Sequence, residues 1–407
     1  MKRNTLLRGP FEPEEIHGCT FYHGDCREVL GVLSDASVDS VLTDPPYGLK
    51  FMGKDWDRDI AFQVGVWREV FRVLKPGGHM LAFGGTRTFH RLTCAIEDAG
   101  FEIRDCLMWL YGSGFPKSHN VAVAVDKMNG IGPRSKAFNM KGRGDRAEEM
   151  DENGREFLPP YEAATDAACQ WQGWGTALKP AWEPIILARK PLIGTVAQNV
   201  LHHGTGAINI DGCKIGTSLI ATHAKKGMYG MGSAEKAREQ GFRPYHVDNR
   251  DLPFSQHTGR WPANVIHDGS DEVVDAFPDD MRARGNITPT KRTVLPFRGG
   301  FGESVSATFS GDSGSAARFF YCVKASAADR CGSKHPTIKP IKLKRYLARL
   351  ITPVEGLVLD LFAGSGTTGA ACAREGFRSI LIEQEAEYIN DIRRRMQKTR
   401  PNVLRSV

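Results

Sequence analysis

Leu357-Val-Leu-Asp-Leu-Phe-Ala-Gly-Ser-Gly-Thr-Thr-Gly369 is the stretch whose reading decides the fold. It begins as an apolar run, Val358, Leu359 and Leu361, of the kind a parallel strand shows when both faces are covered. Gly364, Gly366 and Gly369 then fit G-x-G-x-x-G. That spacing allows a tight turn, close approach of backbone to a ligand, and close packing of the following helix on the strand. Glu383 ends the next apolar run, Ser379-Ile-Leu-Ile382, where a carboxylate can accept bonds from ribose hydroxyls. A nicotinamide dinucleotide site would explain this pattern, and so would a plain glycine turn. Few residues follow Gly369, and a doubly wound nucleotide-binding sheet needs five or six strands, so the missing strands must come from earlier in the chain.

The chain has 407 residues, 41% of them hydrophobic and 25% charged, enough for a globular protein with one large or two ordinary domains. Its formal charge of +7 is unevenly placed. Lys324, Arg330, Lys334, Lys339, Lys342, Lys344, Arg345 and Arg349 face the single acid Asp329 over one stretch, which reads as a solvated helix face or as a surface for phosphates. The nine cysteines form no C-x-x-C pair and no zinc spacing with histidine, so no metal is expected and the thiols read as reduced, in a cytoplasmic protein. The start of the chain lacks a signal-peptide core, and no apolar run reaches membrane-spanning length.

Along the chain, strands are expected at 20–23, 38–42, 80–83, 103–110 and 182–188, with helices at 27–33, 66–74 and 89–99. Lys75-Pro-Gly-Gly78 reads as the stop of the second helix. This alternation predicts an α/β fold, a doubly wound and mostly parallel sheet with helices on both faces. From 129 to 158 the pattern dissolves into glycines and charges, read as a mobile excursion. Residues 191–320 lose the rhythm again and read as a separate irregular module, with five glycines and five serines in Arg298–Ser315. Pro340 suits the first turn of a helix carrying Leu343, Leu347 and Leu350.

The strand ending at Leu42 runs into Thr43-Asp44-Pro45-Pro46-Tyr47-Gly48. Two prolines cannot continue a central strand, so the loop falls at the carboxyl edge, where open α/β sheets bind ligands. A carboxylate and a nearby main-chain carbonyl can accept both hydrogens of an exocyclic amino group, and a tyrosine ring can stack on a base taken out of its helix. Methyl transfer to such a nitrogen needs alignment and stabilisation of the cation forming on the amine, with no covalent intermediate. Pro159-Pro160-Tyr161 repeats the loop without the acid, after Leu158 and in polar surroundings, and reads as an ordinary turn.

Asp44-Pro-Pro-Tyr47 followed much later by Asp360-Leu-Phe-Ala-Gly-Ser-Gly-Thr-Thr-Gly369 resembles the amino-group DNA methyltransferases of the β class. The similarity extends to Gly24-Asp25, Trp182-Glu183, His335-Pro-Thr-Ile-Lys-Pro340 and Glu383, with Trp182 standing where many members carry histidine. The resemblance implies a circularly permuted class I methyltransferase fold with an inserted target-recognition module. Residues 1–128 would form the catalytic half, 129–177 a mobile insertion, 178–190 a returning strand, 191–320 the recognition module and 321–407 the cofactor half. S-adenosylmethionine is the implied cofactor and double-stranded DNA the implied partner. Asp44 and the Pro46 carbonyl would hold the target amino group, Pro45 and Pro46 would stiffen the loop, and Tyr47 would stack on the base. Phe362, Ala363, Gly364, Ser365 and Gly366 would wrap the methionine part of the cofactor, Glu383 would bind its ribose and Asp25 its adenine, with Asp360, Thr337 and Lys339 adding to the pocket. Aspartate at the head of the loop goes in the family mostly with adenine N6, and serine more often with cytosine N4. The resemblance leaves room for a homodimer and a companion restriction endonuclease; the residues choose neither.

A nicotinamide dehydrogenase leaves Asp44-Pro-Pro-Tyr47 unexplained. A P-loop ATPase would need Lys-Ser or Lys-Thr after the glycines, and a cytosine-C5 methyltransferase would need a cysteine nucleophile, usually after proline; neither pair occurs there.

Overall fold

The computed structural model describes residues 11–48, 59–114, 118–131, 161–222, 255–278, 315–323, 327–335 and 337–402. They fall into two compact units, Met1–Gly112 with Trp182–Val407, and Ser113–Ala181.

The larger unit is built on a ten-stranded sheet. Its strands are β1 (Glu14–Ile16), β2 (Cys19–His23), β3 (Val38–Thr43), β4 (Leu74–Phe83), β5 (Glu102–Leu110), β6 (Trp182–Arg189), β9 (Val265–His267), β10 (Tyr321–Cys322), β11 (Leu357–Asp360) and β12 (Arg378–Glu383). β7 (Ile215–Thr222) and β8 (Ser255–Arg260) form a separate antiparallel pair. The sheet order is β1-β2-β12-β11-β3-β4-β6-β5-β9-β10. β2, from the start of the chain, lies parallel to β12 from its end, so the sheet closes across the two chain ends. Pairing stays parallel from β2 through β4, and β6 then enters antiparallel to both β4 and β5. This is the mostly parallel sheet that the class I methyltransferase fold requires.

Successive residues of a strand point to opposite faces, and both faces of this sheet are apolar. Val41, Met80, Ala82 and Leu359 join one core with Val66, Trp67 and Val70 of helix Val64–Val73 and with Leu92 and Ile96 of helix Phe89–Asp98. Leu42, Leu81, Phe83 and Val358 join the opposite core with Leu343, Tyr346, Leu347 and Leu350 of helix Ile341–Ile351. A third cluster seats helices Thr367–Glu375 and Ala386–Lys398 against Phe21 and Leu381. Gly369 is where the first of these helices comes closest, since a Cβ there would lie 2.8 Å from Leu381 and 2.9 Å from Cys19.

Helix Val64–Val73 stops just before Lys75-Pro-Gly-Gly78 as expected, but the stretch is itself strand, for β4 begins at Leu74 and runs straight through it. Leu74 pairs with Val38, and a register shift between Val38 and Ser40 absorbs the irregularity. The Pro76 carbonyl accepts from Asn199 Nδ2 and Thr205 Oγ1, so the stretch is held by side chains as well as by the ladder.

Residues 191–320 were expected to stand apart, yet their described parts cluster with the sheet, and β9 extends it by pairing with β5. The glycine- and serine-rich 298–314 and most of the expected mobile insertion, 132–160, lie outside the described residues. In the smaller unit, Asp126 at the end of helix Val121–Met128 accepts from Tyr161 Oη, Ala164 N, Thr165 N and Thr165 Oγ1. Among the described residues no helix is long and apolar enough to cross a membrane.

Candidate active site

β12, β11, β3 and β4 are parallel neighbours, so their carboxyl ends share one edge. That edge carries Glu383, the Asp360–Gly366 turn, the Asp44–Tyr47 loop and Gly84 in spatial order. One cleft runs along it, lined by Asp44, Pro45, Pro46 and Tyr47 on one side and by Asp360, Phe362, Ala363, Gly364, Ser365 and Glu383 on the other. The two motifs, more than three hundred residues apart in the chain, thus form a single site.

Tyr47 is fixed by close neighbours. Its carbonyl accepts from Thr88 Oγ1 at 2.8 Å, and a Cβ on Gly85 would come within 3.0 Å of its ring, so only glycine lets the β4 loop pass. Its hydroxyl donates to Asp44 Oδ1 and Glu183 Oε2, each at 3.1 Å. Lys339 Nζ lies 2.8 Å from Asp44 Oδ2, 3.1 Å from Glu183 Oε2 and 3.2 Å from Tyr47 Oη. Burial acts to raise the Asp44 carboxyl, but Lys339 and Lys344 outweigh it and hold the group below the ordinary carboxylate range. Burial likewise acts to lower Lys339, and Asp44 and Glu183 reverse that, so the ammonium persists. Burial, with Asp44 and Glu183 beside it, pushes the Tyr47 phenol up. The arrangement holds an ionised carboxylate with a fixed aromatic ring at a strand end.

At the glycine turn, Gly364 and Gly366 take φ of +52° and +79°, the left-handed region that glycine enters freely. A Cβ on Gly366 would lie 3.2 Å from the Ile392 backbone, so the position excludes a side chain on two counts. Glu383 Oε2 accepts from Gly364 N at 2.7 Å and Oε1 from Glu385 N at 2.9 Å. Burial pushes its carboxyl up to about 7, while those two N–H groups pull the other way.

Two expected ligands of the cofactor are engaged elsewhere. Gly24 and Cys26 line the cleft, but the Asp25 carboxylate caps helix Cys26–Val32 through Arg27 N and pairs with the Arg27 guanidinium. That pairing holds Asp25 below the usual carboxylate range. Asp360 borders the cleft with its acceptors committed to Thr43 Oγ1, Thr368 Oγ1 and Phe362 N, bracing β11 against β3. Thr337 and Lys339 both line the cleft, and Thr337 N donates to His335 Nδ1.

Glu183, Phe83, His335 and Lys344 join the site without a role assigned from sequence. Glu183 and His335 each stood in a stretch that carries the resemblance, and Glu183 is also an acid at the start of the otherwise apolar Trp182–Ala188. Part of the basic stretch turns away from solvent, while Arg330, Lys334 and Lys342 stay exposed. Lys339 and Lys344 are buried, and Arg345 and Arg349 both pair with Glu375.

The N6/N4 methyltransferase family model, described as DNA methylase, matches residues 38–394. The chain belongs to this family. It is 26% identical over 195 residues to the type II methyltransferase M.HindIII of Haemophilus influenzae, covering 46% of this chain and 52% of that protein. It is 32% identical over 88 residues to the putative methylase YubD of Escherichia coli, covering 20% of this chain and 39% of that one. The chain thus spans about half the length of M.HindIII and less of YubD. Among solved structures, a putative DNA modification methylase of Thermus thermophilus in complex with S-adenosylmethionine aligns with TM-score 0.40 and 17% identity, over 93% of this chain and 92% of that one. The cytosine-N4-specific PvuII DNA methyltransferase aligns with TM-score 0.42 and 15% identity, over 92% of this chain and 85% of that one.

Proposed function

We propose that this chain transfers a methyl group from S-adenosylmethionine to the N6 amino group of adenine in double-stranded DNA. One observation carries the reading: an ionised carboxylate with a fixed tyrosine and a glycine turn with a buried acid lie on the ends of adjacent parallel strands and line one cleft.

The turn side of the cleft suits the cofactor. Gly364 and Gly366 leave room where side chains would intrude, and Glu383 ends β12 where ribose hydroxyls can donate to it. When bound there, S-adenosylmethionine supplies an electrophilic methyl carbon on a cationic sulfur. The loop side holds the acceptor nitrogen. Tyr47 offers its ring to the face of a flipped adenine, and Asp44 with the Pro46 carbonyl accepts the two amino hydrogens. Lys339 keeps Asp44 charged before reaction. As the amine becomes cationic, that carboxylate strengthens its bond and stabilises the developing charge. The proton then released from the nitrogen passes to Asp44 Oδ1.

Adenine is favoured over cytosine because aspartate heads the loop. Incubation with S-adenosylmethionine and duplex DNA, then digestion to nucleosides and mass analysis, tests this directly. N6-methyladenine is expected; N4-methylcytosine alone would reassign the base while keeping the chemistry. Calorimetry that detects NADH binding and no S-adenosylhomocysteine binding would return the cleft to a dehydrogenase.

A further inference from the structure

Lys344 stands in the first turn of helix Ile341–Ile351, buried beside the cleft it helps to line. Its Nζ has no hydrogen-bond partner among the described residues. The Phe83 ring lies 4.7 Å from it. The same ring faces Lys339 Nζ at 5.0 Å, but the two lysines differ in what else they meet. Lys339 holds Asp44, Glu183 and the Tyr47 hydroxyl. Asp360, the other acid close to Lys344, has its acceptors committed to two threonine hydroxyls and a main-chain N–H. A buried amine without a partner is costly. An anion entering the cleft would remove that cost.

A second feature points to an anion at this end. Helix Thr367–Glu375 opens on the glycine turn, and Thr367 and Thr368 line the same cleft. The first turn of a helix presents N–H groups and a partial positive charge, which favour a carboxylate.

We propose that Lys344 is the counter-charge for the α-carboxylate at the amino-acid end of S-adenosylmethionine. The inference rests on the reading of the cleft as the cofactor site and deepens it. It assigns to a lysine without a hydrogen-bond partner among the described residues the one fixed negative group that the cofactor brings.

The test compares two ligands by calorimetry on the full chain. S-adenosylhomocysteine carries the α-carboxylate; 5′-methylthioadenosine keeps the nucleoside and the thioether but lacks it. Lys344→Met, which keeps the length of the stem and its apolar packing, is expected to weaken S-adenosylhomocysteine by about 10- to 100-fold, the range for a hydrogen bond to a charged group. The same change should leave methylthioadenosine within about twofold, because the lost contact is to a charge that ligand does not have. Lys344→Gln, as a second variant, should show the same split. Equal weakening of both ligands, or no change in either, overturns the proposal. Wild-type protein that binds neither ligand overturns the cofactor reading itself, a result distinct from both.

Discussion

Tyr47 and Tyr161 each end a Pro-Pro-Tyr stretch, and the contrast between them separates motif from site. Tyr47 follows an acid at the carboxyl end of a buried parallel strand. Its hydroxyl bridges Asp44 and Glu183, and both its ring and Asp44 border a cleft. Tyr161 also finds an aspartate, but Asp126 lies within a small helical unit and accepts main-chain and threonine donors as well. That carboxylate ties a chain segment to a helix and has no acceptor role left over. The same residue types thus serve packing in one place and line a cleft in the other, and strand-end placement makes the difference.

Among changes to the fold of the site, the largest effect is expected at the glycine turn. Gly366→Ala forces a side chain into left-handed backbone and against Ile392. It should lower unfolding stability by about 1–3 kcal/mol and weaken S-adenosylhomocysteine binding, read by denaturant titration and calorimetry. Unchanged stability would mean that the turn is not constrained as described.

A pH titration sharpens the role of Glu383. Its carboxyl is pushed up to about 7 from an ordinary 4.5. An acid with a raised folded value favours the folded state in its protonated form, so its contribution to stability falls as pH rises across that window. Ribose hydroxyls donate best to the ionised carboxylate. Affinity for S-adenosylhomocysteine should therefore rise by up to about tenfold between about pH 6 and about pH 8, and Glu383→Gln should flatten the curve. A flat wild-type profile would remove Glu383 from the ribose contact.

The smallest effects come from the tyrosines themselves. Tyr47→Phe keeps the ring and loses the hydrogen bonds with Asp44, Glu183 and Lys339, and should slow methyl transfer by about five- to tenfold. Tyr161→Phe should leave transfer unaltered and cost about 1 kcal/mol of stability. Equal slowing by both would erase the distinction between the two stretches.

Strand ends were the legible part of this sequence. Val38–Leu42 running into Asp44 and Val358–Leu361 running into Gly364 gave both halves of the site, because apolar runs stopped by proline or glycine carry their own punctuation. β9 and β10 could not be read, since three- and two-residue strands have no period. Glu183 and Lys344 gained their positions only through packing across the sheet. Lys344 was hidden for a further reason: counted with its basic neighbours it suggests a solvated face, and only the apolar side of its helix turns it inward. Asp25 shows a second job that the Gly-Asp pair did not announce, since its carboxylate caps the helix that follows.

Asp44→Ala, with both ligand binding and methyl transfer measured on the same preparation, tests the central claim most directly. Lys339 keeps Glu183 as a partner in that variant, so the cleft should remain intact. S-adenosylhomocysteine affinity should stay within about twofold, while transfer to DNA falls by about 10²- to 10³-fold, because the lost acceptor acts only where charge develops. Transfer that persists at the wild-type rate, or binding that is lost in step with transfer, would contradict the account.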